Sequence, residues 1–127
     1  MKRLTKAEEE VMQIIWKLGR CTVSDIRQYM ADELQQPKPP HSTVSTVVRT
    51  LEDKGILDHK AYGRTYEYFP TITKQDYSSL TLKKFVSDYF DGSMQRLVSF
   101  MVKEQNLSLN DLSDLLDKLD EADEEEL

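Results

Sequence analysis

The segment PKPPHSTVSTVVRTLEDKGIL, residues 37–57, constrains the fold more than any other stretch of the chain. Pro37, Pro39 and Pro40 fix their own φ, remove backbone donors and bias the residues before them away from helix. A helix arriving from the amino-terminal side therefore has to stop, and an extended connector has to follow. A new helix is expected near Ser42. In it, Val44, Val47, Val48 and Leu51 fall at i, i+3, i+4 and i+7, one apolar stripe for a core. At about 100° per residue the opposite face is centred on Ser42, Thr46, Arg49 and Asp53, flanked by Thr43, Ser45 and Thr50. Valine and threonine are mediocre helix formers, so packing rather than propensity must hold this helix. Gly55 is the expected stop.

Two helices are expected before the prolines. Thr5-Lys6-Ala7-Glu8 has capping-box spacing, and Ala7, Val11, Ile14, Ile15 and Leu18 keep the helical period up to Gly19. Thr22-Val23-Ser24-Asp25 opens the second, with Val23, Ile26, Met30 and Leu34 on its buried face. After Gly55 the period changes. Residues 56–61 and 65–69 are β-rich runs around Tyr62-Gly63-Arg64, a hairpin with Gly63 free to take positive φ and Pro70 at its end. Three short helices, a proline-fixed connector to the third and a basic hairpin directly after it describe a winged helix-turn-helix.

The chain then turns helical again. Leu80, Leu82, Phe85, Val86, Tyr89 and Phe90 give a fourth helix a broad apolar surface, bounded by Asp91-Gly92-Ser93. Met94, Leu97, Val98, Met101 and Val102 line a fifth, and Ser108-Leu109-Asn110-Asp111 caps a sixth carrying Leu112, Leu115, Leu116 and Leu119. Three such helices make a marginal core by themselves. A second copy of the chain is the expected cover, with packing against the first domain as the alternative, and the expected dimer contacts are Leu82, Phe85, Val86, Tyr89, Leu97, Met101, Leu112, Leu115, Leu116 and Leu119. The expected fold is thus mainly α with a small β-hairpin wing. A winged-helix domain spans 1–72, a three-helix dimerisation domain 73–122 and an acidic, solvated tail 123–127.

Charge separates the two parts. The net charge is −6, yet residues 1–70 hold 11 Lys/Arg against 10 Asp/Glu while residues 71–127 hold 6 against 13. A near-neutral head joined to an acidic tail is consistent with an anion-facing part linked to something else. A single cysteine, Cys21, excludes an intrachain disulfide, and an ordinary partly buried thiol is expected there. With only His41 and His59 beside it, soft ligands are too few for a self-contained zinc site, so neither metal nor cofactor is expected. The same scarcity, with no catalytic spacing, argues against an enzyme. No apolar run approaches the ~18 residues of a membrane span, and the amino terminus lacks a signal-peptide core, so cytoplasm is the expected compartment.

The hydroxyl-rich helix face suits a duplex groove. Base edges in the major groove offer donors, acceptors and the thymine methyl at close range, a match for short hydroxyl side chains. Thr43, Ser45, Thr46 and Arg49 are the expected base readers. Ser42 at the helix start, with Lys60 and Arg64 of the hairpin, are the expected phosphate contacts. His59 lies beside the same hairpin, and Tyr62, Tyr66 and Tyr68 are expected to pack.

LTKAEEEVMQIIW, STVSTVVRTLEDKGIL and GRTYEYFP resemble segments of the penicillinase-repressor family, the BlaI/MecI/CopY group of bacterial winged-helix repressors. LKKFVSDYFDGSMQRLVSFMVKEQNLS is similar to their dimerisation domain, so the resemblance covers nearly the whole chain. It implies a homodimeric transcriptional repressor on a palindromic, double-stranded DNA operator. In BlaI- and MecI-like members the regulated genes confer β-lactam resistance, and a membrane-bound antibiotic-sensing metalloprotease triggers cleavage in the fifth helix. By position that bond is Phe100-Met101, where those members have Asn-Phe. CopY-like members carry a cysteine-rich metal-sensing tail, whereas DEADEEEL has neither Cys nor His. Glu9 stands where the family commonly has Trp, and Ser42 and Ser45 where it has Arg or Lys. A protein-interaction adaptor whose winged helix does not touch DNA is the alternative from another class.

Overall fold

Reciprocal side-chain caps start the first two helices. Thr5 Oγ1 accepts from Glu8 N at 3.2 Å while Glu8 Oε1 accepts from Thr5 N at 3.2 Å, opening α1 (Lys6–Leu18). Thr22 and Asp25 repeat the exchange at 3.1 and 2.9 Å, opening α2 (Val23–Asp32). α3 (His41–Asp53) has Pro40 at its cap position and no side-chain cap. This is a computed structural model, which describes residues 3–104, 108, 110–114 and 117–118. The remaining elements are β1 (Leu57–Tyr62), β2 (Thr65–Pro70), α4 (Lys74–Phe90) and α5 (Met94–Glu104). The chain divides into two compact units, Met1–Tyr77 and Ser78–Leu127.

In the first unit the apolar stripes of α1, α2 and α3 meet above the hairpin. Met12, Ile15, Ile26, Val48 and Leu51 are fully buried, with Ile56 and Leu57 closing the core from below. Val44 is buried and Val47 half-buried, so the stripe expected on α3 does face the core. β1 and β2 pair antiparallel from Leu57 opposite Pro70 to Tyr62 opposite Thr65, and Gly63 takes φ 64° in the tight turn. Cys21 extends this ribbon. Its N–H donates to Tyr68 O at 3.0 Å and its O accepts from Tyr68 N at 2.7 Å, so the connector between α1 and α2 acts as a short third strand. Three helices with a two-stranded wing make the first unit a winged helix-turn-helix, in agreement with the mainly α fold expected.

One buried ion pair ties the two ends of this core. Glu8, only 5% exposed, receives Lys54 Nζ at 2.7 Å on both oxygens, and Lys54 also donates to Arg3 O at 3.0 Å. Burial alone would raise the Glu8 pKa, but hydrogen bonds from Lys54 and Thr5 outweigh it and hold the carboxyl below the ordinary range. Trp16 anchors the far side by donating Nε1–H to Ile72 O at 2.9 Å and lying 5.4 Å from the Tyr77 ring.

Leu34 differs from expectation. α2 ends at Asp32, because Glu33 N donates to Tyr29 O, Gln35 takes the left-handed φ of 52° and Gln36 N donates to Met30 O. The helix thus unwinds through its own closing turn before the prolines are reached, and Leu34 is left exposed rather than on a buried face. Tyr62 and Tyr66 are also exposed, and only Tyr68 of the three wing tyrosines is buried.

In the second unit the left-handed pair Asp91-Gly92 closes α4, with Gly92 N donating to Val86 O at 3.0 Å. Val86, 3% exposed, is the one buried hydrophobic residue among the described residues of this unit. Leu80, Leu82, Phe85, Tyr89, Met94, Val98 and Phe100 are exposed. Ser108 and Asp111 exchange backbone and side-chain hydrogen bonds, both at 3.1 Å, and cap a further helical stretch over 110–114. Leu115, Leu116 and Leu119, and the acidic tail, lie outside the described residues.

Candidate nucleic-acid interface

The connector that presents α3 is held from α2. Arg27 Nε donates to Pro39 O at 2.8 Å and Lys38 Nζ to Gln28 Oε1 at 3.0 Å, so the three prolines are pinned against the preceding helix. α3 leaves this connector at Pro40, and the first N–H groups of the helix receive no side-chain oxygen. Such a terminus attracts anions through its unpaired donors and the positive end of the helix dipole.

Ser42, Thr43, Thr46 and Arg49 are exposed on α3 and Ser45 is half-buried, all on the side away from Val44, Val48 and Leu51. Thr46 Oγ1 donates to Ser42 O at 2.8 Å and Thr50 Oγ1 to Thr46 O at 2.9 Å. Each hydroxyl proton is thereby used within the helix, which turns the oxygen lone pairs outward as acceptors. Arg49 lies along the same face, its Nε donating to Ser45 O at 3.3 Å. Five donors in a planar fork leave it further capacity toward a guanine edge or a phosphate.

The wing divides its two cations. Arg64 is exposed in the turn and lines a polar cleft with Ser24, His41, Ser45 and Thr65, where the first turns of α2 and α3 meet the hairpin. Lys60 is not in this cleft; its Nζ stands 5.3 Å over the Tyr62 ring. The structure therefore brings Ser45 and Arg64 together and sets Lys60 apart. His41 and Ser24 are cleft residues that sequence reasoning passed over. Their signals were present, since each stands in the first turn of a helix where phosphate contacts are made, but the packing of α2 beside α3 is needed to see them converge.

Two perturbed groups lie behind this face. Burial pushes the Cys21 thiol up to about 12, with Asp25 and Glu67 adding to the effect, so it is an inert thiol. Burial also raises Tyr68, aided by the Glu52 carboxylate and opposed by Arg49.

The expected dimer contacts on the second unit fall into three groups. Leu82, Phe85 and Tyr89 are exposed on α4; Leu97, Met101 and Leu112 are half-buried; Val86 is already buried within the chain. The Phe85 ring lies tilted against Tyr89 and Phe90, with centroids 5.1 and 5.8 Å apart. Phe100 meets Phe90 edge-on at 5.4 Å, placing the Phe100-Met101 bond inside α5. Among the described residues no helix is long and apolar enough to cross a membrane.

Comparison with known proteins identifies the family by sequence. The family model described as "Penicillinase repressor" matches residues 4–121. The penicillinase repressor of Bacillus licheniformis is 28% identical over 112 residues, 87% of this chain and 84% of that protein. The methicillin resistance regulatory protein MecI of Staphylococcus aureus (strain N315) is 27% identical over 110 residues, 86% of each chain. A solution structure of the DNA binding domain of the repressor BlaI is matched with 30% identity over 61% of this chain and 94% of that one, at a TM-score of 0.49.

Proposed function

The chain belongs to the penicillinase-repressor family, and from that premise we propose that it is a homodimeric, sequence-specific DNA-binding repressor. One observation carries this above the others. α3 commits Val44, Val48 and Leu51 to the core and presents hydroxyls and Arg49 to solvent beside the wing. In this function Thr43, Ser45, Thr46 and Arg49 read base edges in the major groove, while Ser42, Lys60 and Arg64 hold the flanking phosphates. The exposed apolar faces of α4 and α5 join two copies, so that two recognition helices enter successive major grooves of a palindromic operator. Joining two weak heads raises the effective concentration of the second, and loss of the dimer releases the DNA.

The controlled genes are those of β-lactam resistance, a reading supported by relatives that are a penicillinase repressor and a methicillin resistance regulatory protein. Cutting of Phe100-Met101 after a signal from a membrane-bound protease is the release step that the family resemblance suggests, and a helical bond must unwind before it is cut. The protein acts in the cytoplasm, where its operator is.

Arg49→Ala tests the base-reading role. On a duplex that the protein selects from a random pool, the variant is expected to lose about 1 to 3 kcal/mol, and much less on unselected duplex. Equal losses on both would make Arg49 a backbone contact. No selection of any duplex would favour an adaptor that uses the winged helix for protein contacts.

A further inference from the structure

Glu52, Asp58 and His59 converge where the last turn of α3 meets the root of the wing. Gly55 makes this possible, since its φ of 81° reverses the chain within a few residues and lays β1 beside the helix it has just left. A carboxylate oxygen of Glu52, one of Asp58 and a ring nitrogen of His59 all lie within 4.8 Å of one another. Ligands held about 2.0 to 2.2 Å from one ion stand no more than about 4.4 Å apart, so a small closure suffices.

The imidazole is held in place. It stacks on Tyr66 with centroids 4.2 Å apart and an interplanar angle of 17°, and it lies 5.7 Å from Tyr68. His59 Nδ1 faces Glu52 Oε1 in a hydrogen bond, and Asp58 Oδ1 accepts from His59 N at 2.8 Å. The side chains of His59 and Glu52 are 29% and 28% exposed, sheltered from bulk water yet open on one side. Among the described residues neither Glu52 nor Asp58 forms an ion pair with a lysine or arginine. Glu52, in the last turn of α3 at the negative end of its dipole, and the exposed Asp58 of β1 place two carboxylates beside one imidazole, an arrangement that favours added positive charge.

We propose that Glu52, Asp58 and His59 bind one divalent first-row transition-metal ion of the zinc class, which clasps the recognition helix to the wing. One imidazole nitrogen with two carboxylate oxygens suits such an ion better than calcium or magnesium, which take oxygen ligands, and water completes the coordination. The counting of soft ligands in the sequence missed the site because two of its three ligands are carboxylates from different elements. Its effect on DNA rests on the repressor function proposed above; the metal site itself does not. A bound ion removes two negative charges close to the duplex-facing helix and fixes the wing relative to it, so metal and DNA assist one another. Couplings of this kind are typically about 5- to 150-fold and are reciprocal.

The experiment is a calorimetric titration of zinc chloride into the metal-free full-length chain, repeated for His59→Ala, Glu52→Gln and His41→Ala. One ion per chain is expected for the native protein and for His41→Ala. His59→Ala and Glu52→Gln should bind at least about 100-fold more weakly, a greater loss than that of removing a group that only orients a ligand. The melting temperature in zinc should rise for the native chain but not for His59→Ala, whose metal-free melting reports whether it is folded. Equal weak binding by the native chain and His59→Ala would overturn the site and leave a simple histidine–carboxylate hydrogen bond. On a selected duplex, zinc should tighten binding by the native chain and not by His59→Ala, compared with a chelator. Unchanged duplex affinity despite stoichiometric zinc would overturn the coupling alone. If no duplex is selected at all, the base-reading function falls while the titration still decides the metal site.

Discussion

The two units of this chain use their apolar residues in opposite ways. In Met1–Tyr77, residues from three helices, the Cys21 connector and the hairpin enclose one another, and Met12, Ile15, Ile26 and Leu51 have almost no solvent contact. In Ser78–Leu127, Val86 alone among the described residues is enclosed to that degree, while Phe85, Tyr89 and Val98 stand open. Similar apolar content therefore serves different ends. The first unit encloses its own apolar residues, whereas the described residues of the second leave several large ones open to solvent. An exposed apolar patch of several large residues on a soluble chain marks an interaction site.

The largest effect should come from the closed core. Leu51→Ala removes a fully buried side chain from the middle of α3 and should cost about 2 to 5 kcal/mol by equilibrium denaturation. That loss should be the same at low and high protein concentration. A strong concentration dependence would mean that the first unit, too, relies on a partner.

Glu8→Gln should be next, at about 2 to 3 kcal/mol at neutral pH, less than for a fully buried pair because Lys54 keeps some solvent contact. Because the folded-state pKa of Glu8 lies below its unfolded value, the stabilisation is complete above about pH 4.3. It fades as pH falls through the folded value, so the deficit of Glu8→Gln should shrink toward acid. Denaturation of both proteins between neutral and acid pH measures this, and a constant deficit would show that the pair contributes packing rather than charge.

The open surface is tested by Phe85→Ala. It should weaken self-association roughly 5- to 30-fold in sedimentation, as loss of one aromatic anchor of an interface does, with little change in the unfolding of α1 to α3. Smallest of all is the response of Cys21. With its thiol pushed up to about 12 it should resist alkylation at pH 8 until the chain unfolds. Rapid labelling of the native protein would mean that the connector to Tyr68 opens readily.

Much of the first unit was legible because its signals are local. Thr5 with Glu8, and Thr22 with Asp25, are caps whose spacing is the same in sequence as in space, and Gly55 and Gly63 sit where the chain must take positive φ. Signals that depend on distant partners were not legible. Glu8 reads as a cap residue, yet its other oxygen contacts depend on Lys54 from the end of α3. Leu34 continues the apolar period of α2, but the helix ends at Asp32 and a left-handed Gln35 closes the turn beyond it. Cys21 pairs with Tyr68 through backbone atoms alone, which carry no residue-type signature. The candidate interface divides likewise: the face of α3 follows from periodicity, whereas the cleft joining His41, Ser24 and Arg64 exists only once α2, α3 and the wing are packed.

The most direct measurement is selection of bound sequences from a random duplex pool by the full-length chain, repeated with residues 1–72 alone. A self-contained reading head joined to a surface that needs a second copy should yield an inverted repeat, bound tightly by the full-length chain and weakly by the fragment. Enrichment of no sequence, or equal affinity of the two proteins for the repeat, would contradict the account.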